Sequence, residues 1–482
     1  MRRRVEHKPA MYLRLAREIE KQITQGVLHV GSRLPSVREL SRNRAVSIST
    51  VLSSYFWLEN RGFAESRPRS GFYVRSPFSE LVPEPQFRHL ELAPRAIGSL
   101  PTVEELLSSA NDLSRFNLGA SFPDPKLFPT SKLNKIVRTI IRTQPEHSSR
   151  YHFPPGAIVL REQIAKRSIE FGCSFDPEEL VITSGAIEAI VLGLKAVARP
   201  GDVVAVEIPV HFGVLQAIES VGIKVIEVPS HHRHGIDPAY LERSIKRYNV
   251  KACVLMPNCQ NPLGYVLTEE WKQKVVELAG KYNVPIIEND VYRDVAFGER
   301  RPKPLKAYDT RGLVLLCSSY SKVLGPGFRV GWIQAGRFTD QIKRAKFRTS
   351  IAAPSLSELT IAEYLKAGNY DRHVRRVRNL LPDHLEAFSR AIAKYFPDGT
   401  RLTRPAGGYV LWVELPKRVD ADKLFRAALK KHIYIMPGSV FSTNRRYKNF
   451  IRIGYGVLWS ARADTALLEV GNLARELAMA AR

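Results

Sequence analysis

The stretch CSSYSKVLGPGFRVGW, residues 317–332, places one lysine among small and apolar residues, directly after the strand-like segment LVLLCSS. A lysine kept from water beside other cations loses its proton readily, and its neutral amine can attack a carbonyl carbon. Ser319, Ser321 and Arg329 add hydroxyls and a guanidinium, which suit a phosphate. A lone lysine at a strand end is more often structural, but this combination predicts that Lys322 bonds a phosphate-bearing cofactor.

The chain around this stretch alternates short apolar strands with helical segments from about residue 113. Such alternation predicts an α/β domain with a mostly parallel central sheet. Ligands of these sheets bind at the C-terminal ends of the strands, and the polar motifs fall at those ends. The strand-like segments are DVVAVEI, KVIEVP, ACVLMP, VPIIEND and LVLLCSS.

Four further motifs offer polar groups to a ligand. The segment TSGAIEAI begins a helix, and its backbone amides together with Ser184 suit a phosphate. An ordinary capped helix explains the same segment equally well. NCQNPLG puts Asn261 on a turn, where its amide can donate to a phenolate oxygen. IIENDVYRDV ends a strand with carboxylates and Tyr292, and NFIRIGYG places Arg452 on a strand, where it suits a carboxylate.

The N-terminal segment predicts a winged helix-turn-helix. A first helix covers residues 11–25, and Ser36 with Glu39 forms a capping box for a second. Ser47 caps a third helix, which Gly62 ends, and FAESRPRSGFYVRS then indicates two short strands around a turn. In this motif the third helix enters the major groove of DNA.

Charge also points to nucleic acid. The net charge is +26, and residues 1–75 carry 15 Lys and Arg against 6 Asp and Glu. A solvated basic surface explains any single arginine, but the arrangement as a whole predicts binding to double-stranded DNA. The predicted DNA contacts are hydroxyls at the start of the third helix and arginines of the second helix and wing: Arg38, Ser47, Ser49, Thr50, Arg67 and Arg69.

Composition excludes several classes of protein. The four cysteines form no C-x-x-C pair and no histidine cluster accompanies them, so neither a disulfide framework nor a metal site is expected. No window reaches the roughly 18 apolar residues of a membrane span, and we expect a cytoplasmic protein without membrane contact.

Five prolines mark residues 76–112 as a linker with one short helix around TVEELLSSA.

The string VGSRLPSVRELSRNRAVSISTV, residues 30–51, resembles the signature of the GntR family of regulators, and the resemblance covers residues 10–75. One position departs from it. Many relatives carry Arg after the turn serine, where this chain has Ile48. A base-reading contact is therefore missing at this position, and the operator sequence of relatives cannot be assumed for this chain.

The remaining motifs, together with SFPDPKLFP (121–129) and YHFPPG (151–156), resemble the aspartate-aminotransferase fold family of pyridoxal 5′-phosphate (PLP) enzymes. Within it the chain is most similar to MocR-type regulators, which join a GntR head to such a domain. The resemblance implies a homodimer, with Tyr151 reaching the partner's site, Lys322 as the Schiff-base lysine and Arg452 holding a ligand carboxylate. It also implies a phosphate cup and ring contacts formed by Ser184, Gly185, Ala186, Asn261, Tyr292, Ser319, Ser321 and Arg329.

Two ring-contact positions depart from this family. Relatives place Asp three residues before the tyrosine to pair with the pyridine nitrogen, where this chain has Asn289. Asp290 is adjacent, but neighbouring strand residues point to opposite faces. The ring-stacking position, usually a carbocyclic aromatic, is His211, followed by Phe212. A histidine can also stack, so the second departure is milder.

The sequence thus predicts three parts: a winged helix-turn-helix (1–75), a linker (76–112) and an aminotransferase-like PLP domain (113–482). The first hypothesis is a transcription regulator that senses an amino compound through Lys322. The second is an active aminotransferase with a DNA-binding head, and Asn289 argues against fast turnover. A PLP-free binding domain is a third possibility, against which the lysine and phosphate cup argue. The effector, the operator and the direction of regulation are left open.

Overall fold

A computed structural model gives two compact units, Met1–Pro83 with Asp383–Lys394, and Glu84–Pro382 with Tyr395–Arg482. Among the residues described, no helix combines the length and apolarity that a membrane span needs. The structure describes residues 10–24, 27–28, 32–67, 70–74, 82–86, 93–98, 101–112, 114–298 and 300–480.

The first unit contains the predicted three helices and hairpin. The Ser36 hydroxyl accepts from the Glu39 amide at 3.2 Å, and the Glu39 carboxylate accepts from the Ser36 amide at 3.3 Å. Leu15, Val51 and Tyr55 belong to its apolar core. The winged helix-turn-helix is confirmed. Its elements are α1 (Met11–Thr24), α2 (Val37–Arg44), α3 (Ile48–Asn60), β1 (Ala64–Arg67) and β2 (Gly71–Val74).

The second unit is built on an eight-stranded sheet with two smaller sheets. Its strands are β3 (Phe116–Asn117), β4 (Leu180–Thr183), β5 (Val203–Ile208), β6 (Lys224–His231), β7 (Gly235–Ile236), β8 (Ala252–Leu255), β9 (Ile286–Asn289), β10 (Val314–Ser319), β11 (Gly331–Gln334), β12 (Arg401–Leu402), β13 (Val410–Glu414), β14 (Ile433–Tyr434), β15 (Met436–Pro437) and β16 (Phe450–Gly454).

Helices cover this sheet and extend the unit, and α14 contributes to both units. The helices are α4 (Pro101–Ala110), α5 (Thr130–Thr143), α6 (Pro145–Ser149), α7 (Ile158–Ser168), α8 (Ala186–Val197), α9 (Phe212–Glu219), α10 (Pro238–Tyr248), α11 (Glu269–Tyr282), α12 (Thr339–Ser350), α13 (Ser355–Lys366), α14 (Asn369–Tyr395), α15 (Ala421–Lys430) and α16 (Ala461–Ala480).

The large sheet has the order β4-β11-β10-β9-β8-β5-β6-β7. Its five central strands, β10 to β6 in that order, pair in parallel, which confirms the predicted mostly parallel sheet. Parallel strands buried on both faces are mostly apolar, as in β5 and β10, whose polar residues Glu207, Ser318 and Ser319 lie near the C-terminal ends. The C-terminal ends of these strands therefore meet at one edge, next to Lys322.

The segment predicted as a linker packs partly on the second unit. Arg95 exchanges two backbone hydrogen bonds with Val225, at 2.9 and 2.8 Å, and Ile97 joins the apolar cluster of the large sheet. The predicted helix is present as α4. Backbone hydrogen bonds at an isolated bridge produce no side-chain periodicity, so this docking could not be predicted from the sequence.

Candidate cofactor and DNA-binding sites

Lys322 lies in the turn after β10, in an aromatic setting. Its Nζ is 3.4 Å from the Ser121 hydroxyl and within 6 Å of two ring centroids, at 5.7 Å from Phe122 and 5.6 Å from Tyr292. The Tyr409 hydroxyl donates to the Lys322 carbonyl at 2.8 Å and fixes the backbone. The partly buried amine therefore lies between the Ser121 hydroxyl and two aromatic rings.

The predicted phosphate residues come together beside this lysine. Arg329 donates to the Ser184 carbonyl and lies 3.5 Å from the Ser321 hydroxyl. The Ser319 hydroxyl accepts from the Ser321 amide at 3.3 Å. Gly185 has a φ of +102°, and a Cβ there would come within 2.6 Å of the Arg329 guanidinium. The positive φ, which residues with a side chain rarely adopt, explains why glycine precedes α8, which begins at the predicted Ala186.

Glu188, which the sequence analysis missed, caps the same helix. Its carboxylate accepts from the Ser184 amide at 2.6 Å and from Lys346 at 2.9 Å. Ser350 also donates to this carboxylate. The prediction that the backbone amides here serve a phosphate therefore needs a correction at Ser184, because its N–H already has a protein acceptor.

Arg452, Asn261 and Tyr292 form the opposite side of the pocket. Arg452 is fully buried, donates to the Asn261 side-chain oxygen at 3.1 Å and also donates to the Gly119 carbonyl. Its Nε finds no hydrogen-bond partner among the described residues. Tyr292 donates to the Ser121 carbonyl at 2.6 Å, so Ser121 contacts both Tyr292 and Lys322. Its position in SFPDPKLFP was the only sequence signal for this role.

Asn289 and Asp290 have opposite surroundings at the end of β9. Asn289 is 7% exposed, and its side-chain oxygen has no hydrogen-bond partner among the described residues. The Asp290 carboxylate instead accepts from Asn258 at 3.0 Å and pairs with Arg293. The Asp290 carboxylate thus has protein partners, whereas the side-chain oxygen of Asn289 has no hydrogen-bond partner among the described residues.

His211 caps α9 and is neutral in this setting. Its Nδ1 accepts from the Gly213 amide at 3.2 Å, and its ring lies 4.7 Å from that of Phe212. Burial, reinforced by the cations Arg452 and Lys322, holds the pKa of His211 well below its ordinary value. An uncharged imidazole is compatible with stacking on a ring.

Tyr151 stays on the surface of the single chain. Its side chain is 65% exposed, and its ring lies 5.6 Å from that of Phe153, which is 55% exposed. Phe347 is a further exposed apolar side chain against Phe153. This chain alone does not bring Tyr151 to the residues around Lys322.

The predicted DNA contacts lie at the start of α3, in α2 and in the wing. The Ser47 hydroxyl caps α3 and lies 2.8 Å from those of Ser49 and Thr50. Arg38 is exposed on α2, and Arg67 lies over the Tyr73 ring and pairs with a neighbouring carboxylate. Ile48 is 50% exposed beside them. Arg69, also predicted, lies outside the described residues.

Comparison with known proteins agrees with this two-part architecture. Residues 117–467 match the family Aminotransferase class I and II, and residues 11–74 match Bacterial regulatory proteins, gntR family. The HTH-type transcriptional regulator YdcR of Escherichia coli is 38% identical over 96% of this chain and 99% of its own length. The chain belongs to the MocR-type family.

Further relatives are similar to one or both parts of this MocR-type chain. The HTH-type transcriptional regulator NorG of Staphylococcus aureus is 28% identical over 86% of this chain and 93% of its own length. The α-aminoadipate aminotransferase LysN of Thermus thermophilus, solved with N-(5′-phosphopyridoxyl)-L-leucine, is 29% identical with a TM-score of 0.73. That match covers 79% of this chain and 96% of LysN. The aminotransferase class I and II family is PLP-dependent, and a GntR domain implies DNA binding.

Proposed function

We propose that this chain is a DNA-binding transcription regulator whose aminotransferase-like domain holds PLP on Lys322 and senses an amino compound there. The observation that carries the proposal is one chain with both a winged helix-turn-helix and a partly buried lysine beside an arginine-lined cup. Support also comes from YdcR, a protein named as a transcriptional regulator that matches nearly the whole chain.

The described residues fit PLP. Asn289 Oδ1 and Arg452 Nε are buried polar atoms without hydrogen-bond partners in the part of the chain that the structure describes, and such atoms call for a ligand. When bound, PLP supplies an aldehyde with which an amine can form a covalent bond. Because Gly185 has no side chain, the Arg329 guanidinium lies close to the start of α8, and a guanidinium suits a phosphate. The phosphate would be held by Gly185, Ala186, Ser319, Ser321, Arg329 and the Ser184 side chain.

The other side chains would orient the ring and the amino compound. Asn261 would donate to the ring oxygen, and Tyr292 would also do so by turning its hydroxyl proton away from the Ser121 carbonyl. The neutral His211 would pack on the ring face. Lys322 would provide the amine that an incoming amino compound displaces. Arg452 would bind the carboxylate of an amino-acid effector, because its buried guanidinium has one donor, Nε, that meets no acceptor among the described residues.

The second hypothesis, an active aminotransferase, is disfavoured by Asn289. Removal of a proton from an amino acid depends on a ring whose pyridine nitrogen carries a proton, and an amide supplies no negative charge to hold it. Asp290 is a poor substitute, because its carboxylate is already paired with Arg293. Exchange of amines at Lys322 needs less electron withdrawal, which favours sensing over turnover.

We further propose a homodimer that binds double-stranded DNA. The exposed rings of Tyr151, Phe153 and Phe347 form a patch that a partner subunit would bury. In a dimer, Tyr151 would reach the partner's pocket. Effector binding would alter DNA affinity only if the amino compound binds the two conformations of the regulator unequally.

A binding selection followed by titration tests the function. Full-length protein selects its operator from a random DNA duplex library, and the affinity for that operator is measured with PLP and a panel of amino acids and amines. We expect at least one amino compound to change the affinity of the unaltered protein, and Lys322→Ala to abolish that response while retaining DNA binding. Rapid formation of 2-oxo acids without selective DNA binding would reject the proposal.

A further inference from the structure

The second unit contains a cavity of about 420 Å³ that the Lys322 pocket does not use. It lies between the end of β5, the strand β6 and the small sheet of β13 and β16, and Pro85 and Gln86 form part of its wall. None of the residues proposed to hold PLP lines it. Its volume falls within the range of small-molecule sites.

One polar atom of the cavity lining, Nε of Arg446, is buried without a hydrogen-bond partner among the described residues. Oγ of Ser230, a residue only 5% exposed, lies close to the Tyr265 hydroxyl. Lys417 adds a second, exposed cation to the lining. Buried polar atoms are nearly always satisfied, so a ligand that accepts a hydrogen bond is the simplest partner for Arg446 Nε.

The charges around the cavity favour an anion. The one carboxylate in the lining, Glu414, already accepts from the Gln86 amide at 3.4 Å. The lining imidazole, His232, lies 3.5 Å from Glu84. Arg446, which also lies near the buried carboxylate of Glu227, and Lys417 are the cations that line the cavity, and a carboxylate matches a guanidinium well.

The remaining wall is aromatic and flat. Trp412 and Phe450 stack with centroids 5.4 Å apart, and Tyr447 meets both rings edge-on, at 5.6 and 5.3 Å. Pro209 and Leu263 extend the apolar surface. A planar apolar body would fit against such a wall, as aromatic pairs prefer offset or edge contacts.

We propose that this cavity is a second binding site, which takes a small aromatic carboxylate and does not require PLP. One ring separates it from the first site: Phe441 lies 5.0 Å from Trp412 and 5.3 Å from the Arg452 guanidinium. A ligand that packs on Trp412 would thus influence the position of Phe441, which contacts Arg452. The inference goes beyond the proposed function, since binding here is independent of Lys322.

The probe is 3-fluorophenylacetate, observed by fluorine NMR with full-length protein. We expect binding to the unaltered protein and to Lys322→Ala with equal affinity. Arg446→Gln should raise the dissociation constant about tenfold or more, because a charged hydrogen bond is lost. Lys417→Gln should weaken binding less. Arg418→Gln, an exposed neighbour outside the cavity lining, is the matched control and should change nothing.

Two further measurements keep the test decisive. The neutral 3-fluorophenylacetamide should bind more weakly than the carboxylate if Arg446 recognises charge. Thermal unfolding of each variant establishes that the fold is intact. The proposal is overturned if the probe fails to bind at millimolar concentration, or if Arg446→Gln binds it as the unaltered protein does. Loss of binding in Lys322→Ala alone would place the probe in the PLP pocket and equally overturn it.

Discussion

Gly185 and Arg329 approach so closely that a single methyl group at Gly185 would come within 2.6 Å of the guanidinium. Gly185 also has a φ of +102°, a conformation that L residues with a side chain rarely adopt. Gly185→Ala should therefore displace Arg329 and abolish retention of PLP through gel filtration. The bound cofactor is measured by its visible absorbance and by release after denaturation.

A matched glycine separates this steric effect from backbone strain. Gly201 has a φ of +90° and nothing within 4 Å of its Cβ position. Gly201→Ala should lower stability by about 1 kcal/mol and leave cofactor retention unchanged. Equal loss of PLP in both variants would mean that strain, not the Arg329 contact, controls binding.

Lys322 should be the residue that reacts with PLP. Borohydride reduction of the purified protein should fix the cofactor covalently on one peptide that contains Lys322, as measured by mass spectrometry. Lys322→Ala should abolish the labelling without unfolding the protein. Lys303→Ala, a half-exposed lysine outside the pocket, is the control and should label normally. Labelling at another lysine would disprove the assignment.

Local sequence was sufficient for the elements and for the cofactor motif. Ser36 and Glu39 lie three residues apart and form the predicted capping box, and Ser321 and Arg329 meet across one turn. The contacts that the sequence did not reveal join distant segments. Ser121 reaches Lys322 across 201 positions, and Lys346 reaches Glu188 across 158. Contacts between residues so far apart in the chain follow no regular spacing, so a single sequence cannot reveal them.

The first unit should bind DNA mainly through phosphate contacts, so its affinity should fall steeply with salt concentration. Arg38→Ala should weaken operator binding by about 1–3 kcal/mol if the side chain reads a base, as measured by fluorescence anisotropy. Changes at Ser49 and Thr50 should alter sequence preference. Arg61→Ala is the control and should leave the operator affinity unchanged, because the Arg61 side chain pairs with Glu20 and stacks on Trp57. If removal of residues 1–75 leaves the affinity unchanged, this unit is not the DNA-binding module.

Glu358 should make stability depend on pH. Burial raises its pKa to about 7, although its carboxylate accepts from the Ala157 amide at 2.6 Å. The native state then binds more protons than the unfolded state between pH 4.5 and about 7. The free energy of unfolding should therefore fall by about 3 kcal/mol as pH rises through this window. Chemical denaturation at several pH values measures it.

Glu358→Gln should remove the Glu358 contribution and leave a shallower pH dependence, because the amide cannot ionise and can still accept from Ala157. The slope that is left comes from other buried carboxyls whose pKa is also raised by burial, such as Glu207 and Glu288. Glu363→Gln, an exposed position on the same helix α13, should leave the dependence as it is. An unchanged slope in Glu358→Gln would contradict the assignment of the proton to Glu358.

Asn289 should limit the chain to sensing. Its amide carries no charge to keep a pyridine nitrogen protonated, and Asp290 is held by Asn258 and Arg293. We therefore expect amino acids to change the absorbance of the bound cofactor while 2-oxo acids form very slowly. Asn289→Asp should raise the rate of 2-oxo acid formation with little change in cofactor retention, because the phosphate contacts dominate retention. Single-turnover assays with a panel of amino acids measure the rate.

A second variant controls for the added negative charge. Asn249→Asp makes the same chemical change at an exposed residue after α10, and it should leave the rate of 2-oxo acid formation unaltered. Fast turnover in the unaltered protein would reject the sensing role, because the ring would then be protonated without an aspartate at position 289. Asp290 would be the remaining acid close enough to supply the charge, and it could do so only by giving up its pair with Arg293. The decisive result is that amino acids change the spectrum of the unaltered protein without forming 2-oxo acids, whereas Asn289→Asp forms them. That result would establish that the amide of Asn289 distinguishes a sensor from an aminotransferase.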